Sequence, residues 1–223
     1  MVPAVLLVSG GCGCSTSRYC IGGTSVPAGT IVLFDGTDFS HWKQEDGRDV
    51  QWKIVDGAMQ VAVGQGSIVT KQKFQDFKLH VEFNVPPAPQ GDKKRGHGNS
   101  GVYLQRRYEV QILDSYGIEA GEADCGALYR AKAPDKNVCK EPGRWQSYDI
   151  IFRAARFGQQ GQQFKKVENA CIIVWHNGVL IHNNVELADK TGAGQPEGPQ
   201  PGPILLQDHG NPVRFRNIRV ERF

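Results

Sequence analysis

Phe77-Lys-Leu-His-Val-Glu-Phe-Asn-Val85 alternates apolar and polar residues without a break. Side chains along an extended strand point to opposite faces in turn, so Phe77, Leu79, Val81, Phe83 and Val85 share one face and Lys78, His80, Glu82 and Asn84 the other. Such a strand buries one face and requires a second layer to cover it. The rest of the chain supplies matching pieces. Trp52-Lys-Ile-Val-Asp56-Gly57-Ala-Met-Gln-Val61 reads as a hairpin whose Asp-Gly pair takes the positive φ angles of a tight turn. Residues 169–176 run into Asn177-Gly178 and return as 179–182, a second hairpin of the same kind. Further short strands are expected at 67–71, 102–105, 108–113, 204–207 and 213–220. In the last of these the apolar phase shifts between Phe215 and Ile218, which places a bulge near Arg216 or Asn217. No segment carries the period of an amphipathic helix. The expected fold is all-β, two antiparallel sheets packed as a sandwich over residues 30–223, preceded by a leader and linker at 1–29.

The bulk composition agrees. The chain has 223 residues, of which 39% are hydrophobic and 22% charged, values of an ordinary globular domain large enough for one core. A net charge of +3 with its one short basic run, Lys93-Lys-Arg95, set among Pro and Gly offers no basic face for nucleic acid. Residues 1–8 form a short apolar run followed by Ser9-Gly-Gly-Cys12. Two readings stay open. One is a truncated export or lipoprotein signal, with Cys12 acylated and the protein tethered outside the cytoplasm; the other is an unstructured apolar leader. In an exported protein, Cys14 could close on Cys20 and Cys125 on Cys139, while Cys171 reads as a buried thiol outside any disulfide. Zinc at Cys12 and Cys14 is not expected, because no second close pair of Cys or His stands opposite them.

The polar faces carry the chemistry. On the strand at 108–113, Tyr108, Val110 and Ile112 point to the core and Glu109 and Gln111 away from it. Strict alternation would bury Asp114, so Asp114 has either left the strand or turned through a bulge onto the face of Glu109 and Gln111. Tyr103 and Gln105 share the outward face of the preceding strand, and His80, Glu82 and Asn84 are expected nearby. Tyr, Gln, Asn and His in place of Lys and Glu suit a sugar, which takes directional hydrogen bonds at its hydroxyls and a flat surface against its ring. Trp145 is either a stacking platform or a core anchor. His97 and His209 each begin a His-Gly-Asn triplet in a loop and are candidates for ligand contact. His176 and His182 read as surface residues, and Trp42, Trp52 and Trp175 as core. There is no Gly-x-Ser-x-Gly elbow, phosphate-binding glycine loop or His-Glu-x-x-His, so nucleotide cofactors are not expected. The loops at 86–101 and 192–203 are long enough to be functional.

Several blocks resemble one family, the 3-keto-disaccharide hydrolase domain. They are Leu33-Phe-Asp-Gly-Thr-Asp-Phe-Ser-His-Trp42, Asn99-Ser-Gly-Val-Tyr-Leu-Gln105 with Tyr108-Glu-Val-Gln-Ile-Leu-Asp114, Gly143-Arg-Trp-Gln-Ser-Tyr-Asp149, His176-Asn-Gly-Val-Leu180, and Leu205-Leu-Gln-Asp-His-Gly-Asn-Pro-Val-Arg-Phe-Arg-Asn-Ile218. The resemblance implies a concanavalin-like jelly roll, and action on glycosides whose C3 is already a ketone. By this resemblance Glu109 or Asp114 is the base or a metal ligand. Asn99, Gln105 and Gln111 orient hydroxyls, and His209 or Arg107 meets developing negative charge. Tyr103, Trp145 and Gln207 complete the expected carbohydrate contacts. A divalent cation is compatible with these ligand types, though nothing identifies it. A non-catalytic carbohydrate-binding module and a two-carboxylate glycosidase are the alternatives.

Overall fold

The computed structural model describes residues 29–90 and 96–223. Cys12, the Cys14–Cys20 pairing and the Lys93-Lys-Arg95 run lie outside these residues. The strands in chain order are β1 (Ile31–Phe34), β2 (Trp42–Gln44), β3 (Lys53–Val55), β4 (Ala58–Gln60), β5 (Ile68–Thr70), β6 (Phe77–Asn84), β7 (Ser100–Leu104), β8 (Tyr108–Ile112), β9 (Trp145–Arg153), β10 (Arg156–Gln160), β11 (Gln163–Glu168), β12 (Ala170–His176), β13 (Val179–Leu187), β14 (Leu205–Leu206) and β15 (Arg214–Arg222). All regular structure among the described residues is β. One sheet runs β13-β12-β9-β6-β15-β4-β3, with β1 also paired to β15; a second runs β2-β5-β14-β7-β8; β10 and β11 form a separate ribbon. The pairings are antiparallel and the two larger sheets make a jelly-roll sandwich.

β6 lies inside the larger sheet, between β9 and β15, and its apolar face is the middle of the core. Phe77, Leu79, Val81 and Phe83 are fully buried. Phe83 packs on Tyr148 at 4.7 Å between ring centroids, and Phe77 on Phe152 at 5.3 Å. Tyr108 of β8 meets Phe152 from the opposite sheet at 5.5 Å, so the two layers lock through aromatic rings. Both turns read from sequence are present: Asp56-Gly57 and Asn177-Gly178 each have positive φ at both positions, as a two-residue hairpin requires. The bulge in β15 is present too. The register to β6 shifts between Arg216 and Arg219, and Asn217 takes φ 50°, which lets Phe215 and Ile218 both enter the core.

Four expectations are corrected. His80, Glu82 and Asn84 do not join the face of Glu109, because β6 belongs to the other sheet. There His80 contacts Asp149 at 2.8 Å, Glu82 accepts from Arg216 at 2.7 Å, and the Asn84 amide donates to the Gly143 carbonyl at 2.8 Å. His176 and His182 are not surface residues; they are 1% and 0% exposed. His176 follows Ile172 and Val174 in inward phase, and each ring is accepted by the core because it has a polar partner, Gln146 for His176 and the Gly126 carbonyl for His182. Trp175 is half-buried on the outer face, whereas Trp42 and Trp52 are core. Cys125 and Cys139 lie side by side, but as thiols rather than as a disulfide. Cys171 is buried, and its thiol donates to Asn184.

Phe83→Ala leaves a cavity between Tyr148 and His176 and is expected to destabilise the protein by about 3–5 kcal/mol. Urea unfolding checks this as a lower midpoint with an unchanged slope.

Candidate functional site

The smaller sheet has one face in the core and one facing the loops. Its register sets Glu109 opposite Tyr103, Tyr103 opposite Leu205, Leu205 opposite Val69 and Val69 opposite Lys43, a single row across five strands. In the next row Gln111 stands opposite Gly101, and the Gln207 N–H donates to the Gly101 carbonyl at 3.0 Å, extending the pairing of β14. Period-two alternation therefore brings Glu109, Gln111, Tyr103, Gly101 and Gln207 together, with Val69 and Leu205 as their apolar floor.

Glu109 is 3% exposed. Its Oε2 accepts from the Tyr103 hydroxyl at 2.8 Å, and Gln207 Nε2 donates to that hydroxyl oxygen at 3.3 Å. The Gln207 Oε1 is buried without a partner among the described residues, an acceptor available to a ligand hydroxyl. Glycine is required on both sides of the carboxyl. A Cβ at Gly101 would fall 2.5 Å from Glu109 Oε1, and one at Gly192 would fall 2.9 Å from Oε2 and 2.7 Å from the Tyr129 ring. Burial raises the Glu109 pKa to about 7, against the opposing pull of the Tyr103 hydrogen bond and the Arg106 charge. Burial and the Glu109 charge raise the Tyr103 phenol far above its ordinary range.

β8 is the sheet edge and is covered on its open side. The Glu109 N–H donates to the Thr191 hydroxyl at 2.7 Å, and the Glu109 carbonyl accepts from the Tyr129 N–H at 3.2 Å. The turn joining β7 to β8 supplies a roof. Gln105 and Arg106 take φ 53° and 61°, a left-handed conformation uncommon for non-glycine residues. The turn swings Arg106 over the face, its guanidinium 5.3 Å from the Tyr103 ring centroid, where it donates to Glu45 at 2.5 Å and to the Ala193 carbonyl at 2.8 Å. A cavity of about 320 Å³ lined by Gln44, Glu45, Asp46, Gln65, Gly66 and Ser67 adjoins the Glu45 end of this ion pair; the Glu109 carboxyl lies outside it.

The sequence candidates thus divide. Glu109, Tyr103 and Gln207 are in contact. Gln111 shares their face, although its amide is engaged with Ala123 and Ile112. Asn99 immediately precedes β7, in phase with Gly101 and Tyr103. His209 is exposed on the loop after β14, beside Asp208, whose carboxylate accepts from Gly66 at 3.0 Å next to the cavity. Asp114 has left the strand; it accepts from the Tyr116 N–H, and its own N–H donates to the His97 carbonyl. Gln105 turns away with its left-handed backbone and donates to Phe74, and Arg107 donates to Gln105, Pro196 and Gln200, so both fasten loops. Trp145 lies on the outer face of the larger sheet under Arg216, whose guanidinium is 3.9 Å from the ring centroid. Sequence reasoning missed Arg106, Tyr129, Thr191 and the glycines. Arg106 and Arg107 are adjacent and equally basic, and only the turn conformation decides which one faces the site. Among the described residues the one three-residue group of potential metal ligands is Cys125, Cys139 and His176, away from Glu109.

Comparison with known proteins adds a family. The 3-keto-alpha-glucoside-1,2-lyase-like domain matches residues 29–221. A curated 3-keto-disaccharide hydrolase of Bacteroides thetaiotaomicron is 25% identical over 86% of this chain and 78% of its own. Among solved structures, a Parabacteroides distasonis protein provisionally named a glycosyl hydrolase is 37% identical, with a TM-score of 0.79 over 88% of this chain and 85% of that one. A second from the same organism, 21% identical with a TM-score of 0.65, shares the fold.

Because the folded state holds the Glu109 proton up to about pH 7 and an ordinary glutamate releases it near 4.5, this group's contribution to stability is complete below 4.5 and lost as pH rises through about 7. Unfolding midpoints of wild type measured relative to Glu109→Gln are expected to fall between about pH 4.5 and pH 7 and to level off above it. A constant difference removes the buried-acid assignment.

Proposed function

This chain belongs to the 3-keto-alpha-glucoside-1,2-lyase-like family, and we propose that it cleaves the glycosidic bond of 3-keto-glycosides, 3-keto-disaccharides among them, by elimination followed by hydration. The family and its relatives support glycoside-hydrolase-like action on carbohydrate. The observation that carries the finer reading is a buried carboxyl poised near neutrality, hydrogen-bonded to one phenol and lying close to one guanidinium. That set suits removal of a weakly acidic C–H proton next to a ketone.

In this reading the substrate's C3 ketone acidifies the hydrogen on C2. Glu109 takes that proton, and the C–H electron pair becomes the C2=C3 bond of an enolate. The negative charge develops on the C3 oxygen, where Arg106 supplies the compensating positive charge. Collapse of the enolate restores the C3 ketone, forms C1=C2 and expels the C1 substituent, which leaves with a proton as an alcohol. Water then adds at C1 and a proton returns to C2, so the net change is hydrolysis. Tyr103 holds the Glu109 carboxylate in place, and the Gln207 Oε1 receives a sugar hydroxyl. Gln111 and Asn99 line the same face. In this reading His209, exposed on the loop after β14, meets the leaving group.

Two outcomes test this. Incubation with a 3-keto-glucoside in D₂O is expected to yield 3-keto-sugar with deuterium at C2, while the unoxidised parent sugar is left intact. Cleavage of the parent marks a two-carboxylate glycosidase instead, and binding without product marks a carbohydrate-binding module. Glu109→Gln is expected to lower kcat by about 10²–10⁴-fold with the fold intact by circular dichroism. It should also abolish the rise of wild-type kcat/KM with pH through about 7.

A further inference from the structure

The core side of β8 carries a second cluster that the reaction above does not use. The sulfurs of Cys125 and Cys139 and an imidazole nitrogen of His176 all lie within 4.8 Å of one another. They come from three separate places: the loop that pairs back onto β8, the segment leading into β9, and the end of β12. Cys125 and His176 are each 1% exposed, and Cys139 is half-buried, so the cluster is enclosed except on one side.

The histidine is oriented as a ligand would be. Gln146 Oε1 accepts from the Lys140 N–H at 2.9 Å and from Asn177 Nδ2 at 3.3 Å, which fixes that atom as the amide oxygen. The same oxygen lies 3.0 Å from His176 Nε2, so Nε2 carries the hydrogen and Nδ1 keeps its lone pair. Nδ1 faces the backbone beside Cys125: a Cβ on Gly126 would sit 3.8 Å from it. An imidazole whose second nitrogen donates to a carbonyl oxygen is the usual support behind a metal-bound histidine. The Cys125 loop is fixed as well. Its N–H donates to Ser115 Oγ at 2.9 Å, and the Gly126 N–H donates to the Gln111 carbonyl at 2.9 Å.

We propose that Cys125, Cys139 and His176 bind a thiophilic divalent cation of the zinc class, with a fourth position open on the Cys139 side. Tetrahedral coordination at about 2.3 Å to sulfur and about 2.0 Å to nitrogen separates ligand atoms by about 3.5–3.8 Å. That separation lies below the 4.8 Å within which the three ligand atoms fall. Both cysteines bind as thiolates, and two protons are released on binding. The ion clamps the loop between β8 and β9 to the core behind Glu109, so its role is structural.

The test uses the full chain, purified with thiols kept reduced and without chelator. Elemental analysis is expected to find one zinc per chain, and cobalt(II) is expected to replace it with sulfur-to-metal charge-transfer absorption. Cys139→Ser should weaken cobalt binding by more than about 100-fold, and Gln146→Leu by about 10–100-fold. A variant with Cys12→Ser, Cys14→Ser and Cys20→Ser should keep the full signal, as should Cys171→Ser. The N-terminal variant alone decides the matter if Cys139→Ser does not fold. Absence of the charge-transfer band in that variant overturns the proposal, as does its retention in folded Cys139→Ser. A wild-type mass two hydrogens lower, with a linked Cys125–Cys139 peptide and no bound metal, overturns it in favour of the disulfide.

Discussion

The carboxyl of Glu109 is kept from water, and the arrangement around it follows from what a buried acid requires. Ionised in an apolar setting it needs donors and a positive charge close by; protonated it needs an acceptor or a tolerant neighbour. Tyr103 supplies the donor, and Arg106 the charge. Two glycines supply the room, since any side chain at Gly101 or Gly192 would occupy the space of the carboxyl oxygens. The jelly roll serves this arrangement by presenting the sheet edge at β8, where loops from three parts of the chain can close over one strand.

The strand pattern was legible because it follows from local physics. Alternation in β6, Asp-Gly and Asn-Gly turns, and the phase slip in β15 each depend on residues a few positions apart. The pairing of Glu109 with Tyr103 was half-legible: period two put each on an outward face, and the register between strands then set them opposite. What failed had separate causes. Gln105 was read by extending alternation into a turn whose left-handed residues break it, and Arg107 came from the resemblance, which does not carry the turn conformation that brings Arg106 to the face instead. His176 and His182 were read by polarity, yet an imidazole with one satisfied nitrogen packs in a core like a small aromatic ring. Trp145 and His80 were read without knowing which sheet would receive their strands. Sheet assignment depends on contacts between distant segments, and sequence periodicity carries no record of them.

β8 also joins the two halves of the molecule. The Tyr148 hydroxyl donates to the Gln111 carbonyl at 2.6 Å and lies 3.2 Å from the Cys125 sulfur. One face of the strand therefore holds the buried acid, while its backbone is tied to the aromatic core and to the thiol cluster. The position of Glu109 is inherited from packing on the far side of its own strand.

The loop at 191–203 is gripped largely through its main chain. Arg106 and Arg107 donate to the carbonyls of Ala193, Pro196 and Gln200, and the Thr191 and Gln195 amides donate to the carbonyls of Arg107 and Arg106. Side-chain identity is read at a few points: Thr191 and Gly192 at Glu109, Glu197 where it accepts from Tyr108 and Lys166, and Gly194 and Gly202, where a Cβ would fall 2.0 Å from the Arg107 carbonyl oxygen and 2.5 Å from that of Gln105. Between these fixed points the loop can exchange side chains without altering its path, so the rim beside Glu109 is free to vary at only some of its positions.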